Sequence, residues 1–522
     1  MGIPSYFSYI IKNYAHIIRN YSYISGKPFS FLFMDCNSII YDAVRKLESE
    51  EGDLFEEGHH EKLEKKIIEM VVQIIGEYIH FIKPTELVYI AFDGVAPFAK
   101  MEQQRIRRYK NQPKNTTKWT TSNITPGTLF MKKLSQKITK SFKGLENHFH
   151  VQEIIVSSTL EPGEGEHKLF QYIRDHGDIM KNKRGAVYGL DSDLIMLALF
   201  HYHYFDDLFI FRETPEFGNK IIESSEDEKC HFLDIQELAK GIFSEMQIQN
   251  AGYDRIYDYI FICFFLGNDF LPHFPSLNLR TTGMDTLIDT YGKLFRNQSE
   301  GLIVNKTLHW KNIYRFIYEL AKYEHERFTG EMHTRDKWGK RNWQMDTQSD
   351  KDFLEQSVPV LYRGAELYID PSQKYWQNRY YNSLFGEGCV RKDVCKNYLE
   401  GLEWVFKYYT NSCPHWKWKY HYHYPPLLKD LISCVPRQQI EFIDSNDSNN
   451  KPFSGSTQLC YVLPKTLHYL LPKKQQTYIS ENMSQHFVND FEYQWAFCRY
   501  LWEAHPLLPN ISMKMLNEIE CL

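Results

Sequence analysis

AFDGVAPFAKMEQQRIRR, residues 91–108, joins the end of an apolar run to a basic helical face, and the rest of the chain is read outward from it. Leu87 to Phe92 has the composition of a buried strand and delivers Asp93 at its end, before a turn through Gly94 and Pro97. The chain then becomes helical. With Lys100 as the first exposed position, Gln104, Arg107 and Arg108 follow at i+4, i+7 and i+8. At 3.6 residues per turn this gathers all four within an arc of roughly 100°. A guanidinium grips two phosphate oxygens at once and an ammonium adds a point charge, so this face suits a terminal phosphate monoester. Taken alone, a basic helical face is more often simply solvated. The acids elsewhere in the sequence give this one a second meaning.

Four apolar strands are predicted, and each ends in acid. Phe29 to Met34 leads to Asp35 and Asn37, and Leu87 to Phe92 leads to Asp93. Phe149 to Ser157 leads to a turn running from Glu161 through Pro162, Gly163, Glu164, Gly165 and Glu166 to His167 and Lys168. Ala186 to Leu190 leads to Asp191 and Asp193. Helical periodicity precedes and separates them, in residues 3–24 and in an amphipathic stretch over 61–82 with Leu63, Ile67, Met70, Val71, Ile74, Ile75 and Tyr78 inward. A polar loop over 111–123 precedes Thr125 and Pro126, read as N-cap and first position of the helix carrying Phe130 and Met131. This alternation predicts an α/β fold, a mostly parallel twisted sheet flanked by helices. Such sheets collect ligands beyond the carboxyl ends of their strands, so acids far apart in sequence converge there. A buried helix, Ile256 to Leu266, adds Asp269 through the string Gly267-Asn268-Asp269. The polar stretch 327–351 marks the main boundary. It divides a core over 1–327 from a polar linker, 328–351, and a mainly helical, aromatic-rich region over 352–522 packed on the core.

At 522 residues and 43% apolar content the chain has ample material for well-formed cores, and a net charge of −5 gives no global nucleic-acid signature. Ten cysteines without a CxxC pair, and an N-terminus without signal-peptide character, point to reduced thiols in an intracellular protein. The most apolar stretch, Tyr259 to Leu266, is too short to span a bilayer, so no membrane association is expected. Asp35, Asp93, Glu164, Glu166, Asp191, Asp193 and Asp269 make an oxygen-only set, which suits Mg²⁺ or Mn²⁺. Seven acids in one place need cations, and two divalent ions clamping attacking and leaving oxygens are the usual answer. Beside the Lys100 face, the expected chemistry is hydrolysis of a phosphodiester near a phosphorylated end.

The strings DCNSII, FDGVAPFAKMEQQRIRR, ITPGTLFM, PGEGEHK, GLDSDLIML and GNDFLPH, in this order, resemble the signatures of the Xrn-type 5′→3′ exoribonucleases. GLEWVFKYY, the Trp416 to Pro426 run, Gln458-Leu459 with Val462 to Pro464, and Trp502-Glu503 with Leu507 to Pro509 resemble that family's second conserved region. The resemblance implies a PIN/flap-nuclease-like core in which the seven acids hold two Mg²⁺ ions. It makes Lys100, Gln104, Arg107 and Arg108 the pocket for a 5′-monophosphate, tight enough to exclude capped or triphosphorylated ends. The implied substrate is single-stranded RNA, degraded processively to 5′-mononucleotides. Tyr41 stands where the family carries a base-stacking His, and Trp416 and Trp418 are the candidates to complete that stack. His423 fits the family's HYAP-like run, with Pro425 in place of Ala.

Further expectations are a compact, monomeric member of the family, a cytoplasmic setting, and an upstream decapping or pyrophosphate-removing enzyme. Two other readings stand beside this one: a structure-selective flap endonuclease acting on DNA, and a catalytically silent RNA-binding scaffold. The KMEQQRIRR helix with the second conserved region speaks against the first. The presence of all seven acids speaks against the second.

Overall fold

Phe31 and Phe33 pack into one apolar layer while Leu32 and Met34 pack into another, so this strand is buried on both faces. A strand covered twice reads as a continuous apolar run and belongs in the middle of a parallel sheet. The computed structural model describes residues 2–522 apart from 4, 57, 113–117, 190, 214–229, 249–251, 253, 342, 344 and 446. Within it one sheet is built from β1 (Ile18–Arg19), β2 (Phe31–Asp35), β3 (Leu87–Ala91), β4 (Glu153–Ser157), β5 (Arg184–Tyr188), β6 (Asp207–Glu213) and β7 (Cys230–Asp234). The spatial order is β1-β7-β6-β5-β2-β3-β4. Strands β6, β5, β2, β3 and β4 run parallel, and β7 and β1 close one edge antiparallel. The chain moves outward from β2 to β3 and β4, then returns to the other flank of β2 as β5. Strand order therefore reverses at β2, and a crevice opens beyond its carboxyl end.

Helices Asn37–Glu50, His60–Ile82 and Leu129–Phe142 cover one face, where Leu63, Ile67, Val71 and Ile75 meet Leu32, Met34, Val88 and Ile90. Gly165–Asp175, Asp193–His201 and Asp254–Cys263 cover the other, and behind them the helix Arg391–Thr410 joins the same apolar layer through Leu402, Val405, Phe406 and Tyr409. The C-terminal region thus shares its core with the sheet domain.

The basic helix, Phe98–Lys110, is the second joint. Phe98 and Met101 pack with Leu459, Cys460 and Val462, and the Phe98 N–H donates to the Trp416 carbonyl at 2.8 Å. Arg105 is buried in that joint, reaching the Pro509 carbonyl at 2.9 Å and lying over the Tyr461 ring. One face of this helix is consumed by packing, and the opposite face is left for chemistry.

The structure corrects some local expectations. Thr128, rather than Thr125, caps the helix Leu129–Phe142, its hydroxyl accepting from the Met131 N–H at 3.3 Å. Thr125 and Pro126 lie in the preceding turn, where the Thr125 carbonyl accepts from Thr128. Residues 146–149 are a helical turn, so β4 begins only at Glu153. Leu190 and residues 113–117 of the polar loop lie outside the described residues. Within the polar stretch 328–351, the helix Glu324–Gly339 continues and buries Phe328 and Arg335. Its polarity is spent internally: Arg335 binds both oxygens of Glu366 at 2.7 and 2.8 Å. None of the ten cysteines is in a disulfide, and among the described residues no helix is long and apolar enough to cross a membrane.

Candidate active site

Asp35 is the last residue of β2, and Asp93 follows β3 by two residues. Glu164 occupies the N-cap position of the helix Gly165–Asp175, with Glu166 in its first turn. Asp193 opens the helix Asp193–His201 and Asp191 precedes it, while Asp269 follows the helical turn Phe264–Leu266. Helix N-termini carry partial positive charge and unpaired N–H groups, which favours Glu164, Glu166, Asp191 and Asp193 in these positions; Asp269, on the C-terminal side of its helical turn, has no such support.

Two loops are clipped together to bring these acids close. The Gly94 N–H donates to the Gly163 carbonyl at 2.9 Å, and the Gly163 N–H returns a bond to Val95 at 2.8 Å. A Cβ on Gly94 would stand 1.8 Å from the Glu161 carbonyl oxygen, so only glycine permits the contact. The Gly165 N–H then donates to Asp93 Oδ1 at 2.7 Å, and a Cβ on Gly165 would stand 2.6 Å from Asp35 Oδ1. Asn37 Oδ1 accepts from the Asp93 N–H at 3.2 Å. Lys168 ties the strand ends from below, donating to the Phe92 and Ser158 carbonyls at 2.9 and 2.7 Å.

Several of these acids act on their neighbours. Burial, then Asp93, Asp191 and Glu164, push the Asp35 carboxyl well above its usual range. Burial, Asp193 and neighbouring acids do the same to Glu166. Burial and Glu164 lift Asp93 to about 6, and burial and Asp269 lift Asp193 to about 7. Asp269 is the exception: burial works to raise it, but Lys100 holds it at about 2. The Lys100 ammonium lies 2.6 Å from Glu164 Oε2 and 2.8 Å from Asp269 Oδ2, and these acids keep it charged against its burial. The Gly2 N–H adds a bond to Asp269 Oδ1 at 3.0 Å. Among the described residues, Glu166 Oε2 is buried with no hydrogen-bond partner. Glu164, Glu166 and His167 bring potential ligating atoms within 4.8 Å of one another. Seven acids offset mainly by Lys100 and Lys168, with a buried oxygen unsatisfied among the described residues, make the electrostatics of a site that fits divalent cations.

The four residues of the basic face differ in what they have left to offer. Lys100 is inside the acid cluster. Gln104 is buried, and its Oε1 accepts from Gln458 Nε2 at 3.3 Å, while Gln458 Oε1 accepts from the Ala96 N–H at 2.8 Å. This chain of amides fixes the Gln104 side chain with its NH₂ group unspent. Arg108 donates to the Ile124 carbonyl at 3.1 Å and hydrogen-bonds Tyr41, and burial lowers it to about 10. Arg107 is exposed and lies near Asp269, lining the cavity of about 760 Å³ between the basic helix and the C-terminal region.

Tyr41 therefore sits against the basic face, and its contact with Arg108 joins the two groups that the sequence treats separately. The tryptophans part company. Trp418 is buried and stacked on Trp404 with centroids 5.2 Å apart, a core position. Trp416 is half-buried beside the start of the basic helix.

Sequence reasoning passed over four residues in this shell. Asn37 was visible in the string after Asp35 but carried no stated role, and Gln458 lies 354 residues from the Gln104 that it orients. Tyr408 and Tyr409, which reach Glu164 and Asp193, stand in an apolar helix whose periodicity says only that it is buried.

The family described as XRN 5′-3′ exonuclease N-terminus matches residues 1–118 and 110–214, and that described as Xrn1 helical domain matches residues 251–362 and 371–521. The 5′-3′ exoribonuclease 2 of Arabidopsis thaliana is 26% identical, over 99% of this chain and 67% of its own length. The 5′-3′ exoribonuclease 1 of Saccharomyces cerevisiae is 26% identical over 94% of this chain and 41% of its own length. The human 5′-3′ exoribonuclease 1 is 25% identical over 99% and 34%. The chain thus spans two thirds of the first relative and well under half of the other two.

Proposed function

The chain belongs to the Xrn 5′-3′ exonuclease family, and from that premise we propose that it is a 5′→3′ exoribonuclease acting on single-stranded RNA with a 5′-monophosphate. It releases 5′-mononucleotides processively and works as a monomer in the cytoplasm, on ends supplied by a decapping or pyrophosphate-removing enzyme. The observation that carries this reading is Lys100, a member of the phosphate-holding face whose ammonium lies within 2.8 Å of Asp269 and 2.6 Å of Glu164. A phosphate bound on that face places the next phosphodiester against the acids.

The terminal phosphate is held by donors that remain open. Arg107 supplies its guanidinium, and Gln104 supplies the NH₂ group that Gln458 leaves unspent by engaging its carbonyl oxygen. Lys100 meets the charge of the phosphate nearest the acids and stays protonated throughout. Tyr41, held against Arg108, offers its ring to the first base, and Trp416 is its candidate partner. Asp35, Asp93, Glu164, Glu166, Asp191, Asp193 and Asp269 would hold two Mg²⁺ ions, with Mn²⁺ as a substitute. Bound there, such ions would supply activation of a water and charge stabilisation at the leaving oxygen. The helix termini and the Gly94–Gly163 clip keep those carboxylates in place.

The test is a time course on one labelled single-stranded RNA carrying a 5′-monophosphate, 5′-triphosphate or 5′-hydroxyl, in Mg²⁺ and in chelator, with Asp191→Ala alongside. Mg²⁺-dependent release of mononucleotides from the monophosphate form, lost in the variant, is the expected result. Binding of all forms without cleavage would overturn it.

A further inference from the structure

The C-terminal end of the helix Arg391–Thr410 enters the acid cluster from the helical region. Its Tyr408 hydroxyl donates to Glu164 Oε1 at 2.9 Å, while Glu164 Oε2 faces Lys100 at 2.6 Å. Both oxygens of one carboxylate are thus gripped, from two different regions of the chain. The Tyr408 ring is itself fixed: it lies flat on His167 with centroids 3.7 Å apart and a 21° interplanar angle, and meets Phe270 edge-on at 5.6 Å. Tyr409 is equally buried, wedged against Phe264 at 5.5 Å, and its hydroxyl engages Asp193. Consecutive helical residues project about 100° apart. One helix end therefore addresses two acids that arrive from different strands, Glu164 after β4 and Asp193 after β5.

We infer that Tyr408 and Tyr409 are positioning residues for the metal ligands, and that through them the helical region sets the divalent-cation affinity of the sheet domain. The inference rests on the metal-dependent reading given above. A phenol suits this task because it is a neutral donor. It fixes the rotamer of a carboxylate through one lone pair and leaves the negative charge, and the remaining lone pairs, for a cation. A second cation here, with Lys100 already on the other oxygen of Glu164, would compete with the metal. Partners of this kind behind a ligating group commonly change metal affinity by about 10–100-fold when removed.

The test uses the full chain, stripped with chelator, as wild type, Tyr408→Phe, Tyr409→Phe and the double variant. Tyr380→Phe serves as control, since its buried hydroxyl donates to the Pro425 carbonyl and, among the described residues, reaches none of the seven acids. Mg²⁺ and Mn²⁺ binding are measured by calorimetry, beside the KM for 5′-monophosphorylated RNA and the melting temperature in chelator. The expected result is metal affinity about 10-fold weaker in each single variant and unchanged in Tyr380→Phe, with KM preserved and activity restored at high Mg²⁺. Unchanged metal affinity in the tyrosine variants, or an equal loss in Tyr380→Phe, would reduce the pair to packing and overturn the inference. A wild type that binds no divalent cation would instead overturn the metal-dependent reading from which it starts.

Discussion

Lys100 Nζ lies 2.8 Å from Asp269 Oδ2 across 169 residues of sequence, and its ammonium is inserted into a group of acids, 2.6 Å from Glu164 Oε2. Its removal leaves Glu164 and Asp269 buried without their counter-charge, and breaking a buried pair from one side costs about 3–5 kcal/mol. Lys100→Ala is expected to lower the melting temperature sharply in chelator, to recover part of that loss in Mg²⁺, and to lose most activity on 5′-monophosphorylated RNA. Thermal melts with and without Mg²⁺ check this. A variant as stable as wild type in chelator would contradict it.

The pH dependence follows from Asp93 and Asp193, raised by burial and neighbouring acids to about 6 and about 7. Both sit above their unfolded values, so the folded state binds more protons in this window. The associated stability is complete below the unfolded carboxyl value, is lost as pH rises from there toward the folded values, and is gone above about 7. The metal-free protein should melt at progressively lower temperature from pH 5.5 to 7.5, while the gain on adding Mg²⁺ grows over the same range. Melting curves at three pH values decide the sign.

Arg107 is exposed, so Arg107→Ala should leave the melting temperature within error of wild type. Hydrogen bonds to a charged group contribute about 1.5–3 kcal/mol, which is about 10–100-fold in binding. KM for RNA with a 5′-monophosphate should rise by that factor and KM for the 5′-hydroxyl form should not. Equal losses on both ends would move Arg107 out of the phosphate pocket.

Gly165→Ala places a methyl 2.6 Å from Asp35 Oδ1 and must displace that carboxylate. Turnover should fall by about 10-fold or more, since a small misplacement of a positioned group is costly. Affinity for a non-hydrolysable RNA should be retained, and direct binding measurements separate the two.

Trp416 and Trp418 should behave as opposites. Trp418→Ala removes a buried ring stacked on Trp404 and is expected to destabilise by about 3–5 kcal/mol. Trp416→Ala should leave stability nearly intact and shorten the run of nucleotides released per binding event. Denaturant titration paired with a processivity assay distinguishes them.

Four of the seven strands, β2 to β5, were legible in the sequence because each is a short apolar run stopped by a turn and followed by acid; β6 and β7 were not read, and β1 lies inside the stretch 3–24 whose spacing reads as helical. The same economy made the acids legible: the carboxyl ends of parallel strands face one crevice, so position in the repeat implies position in space. Local capping was less legible. Thr125 with Pro126 and Thr128 are both sound helix starts by composition, and the choice fell to Thr128, whose backbone and hydroxyl complete the turn that precedes the helix. The polar stretch 328–351 had the composition of a linker, but composition does not reveal that an arginine such as Arg335 has a buried glutamate, Glu366, waiting 31 residues away.

By itself, then, the sequence determined which acids gather and which helix face carries Lys100, Gln104, Arg107 and Arg108, because strand ends and helical spacing are local properties of the chain. The tertiary structure decided how those residues differ. It sends Lys100 into the acids, spends Arg108 on Tyr41 and the Ile124 carbonyl, and aims Gln104 through Gln458. It also brings Tyr408 onto Glu164 from 244 residues away. Partners so distant are chosen by packing between regions, and no spacing rule along the chain encodes them.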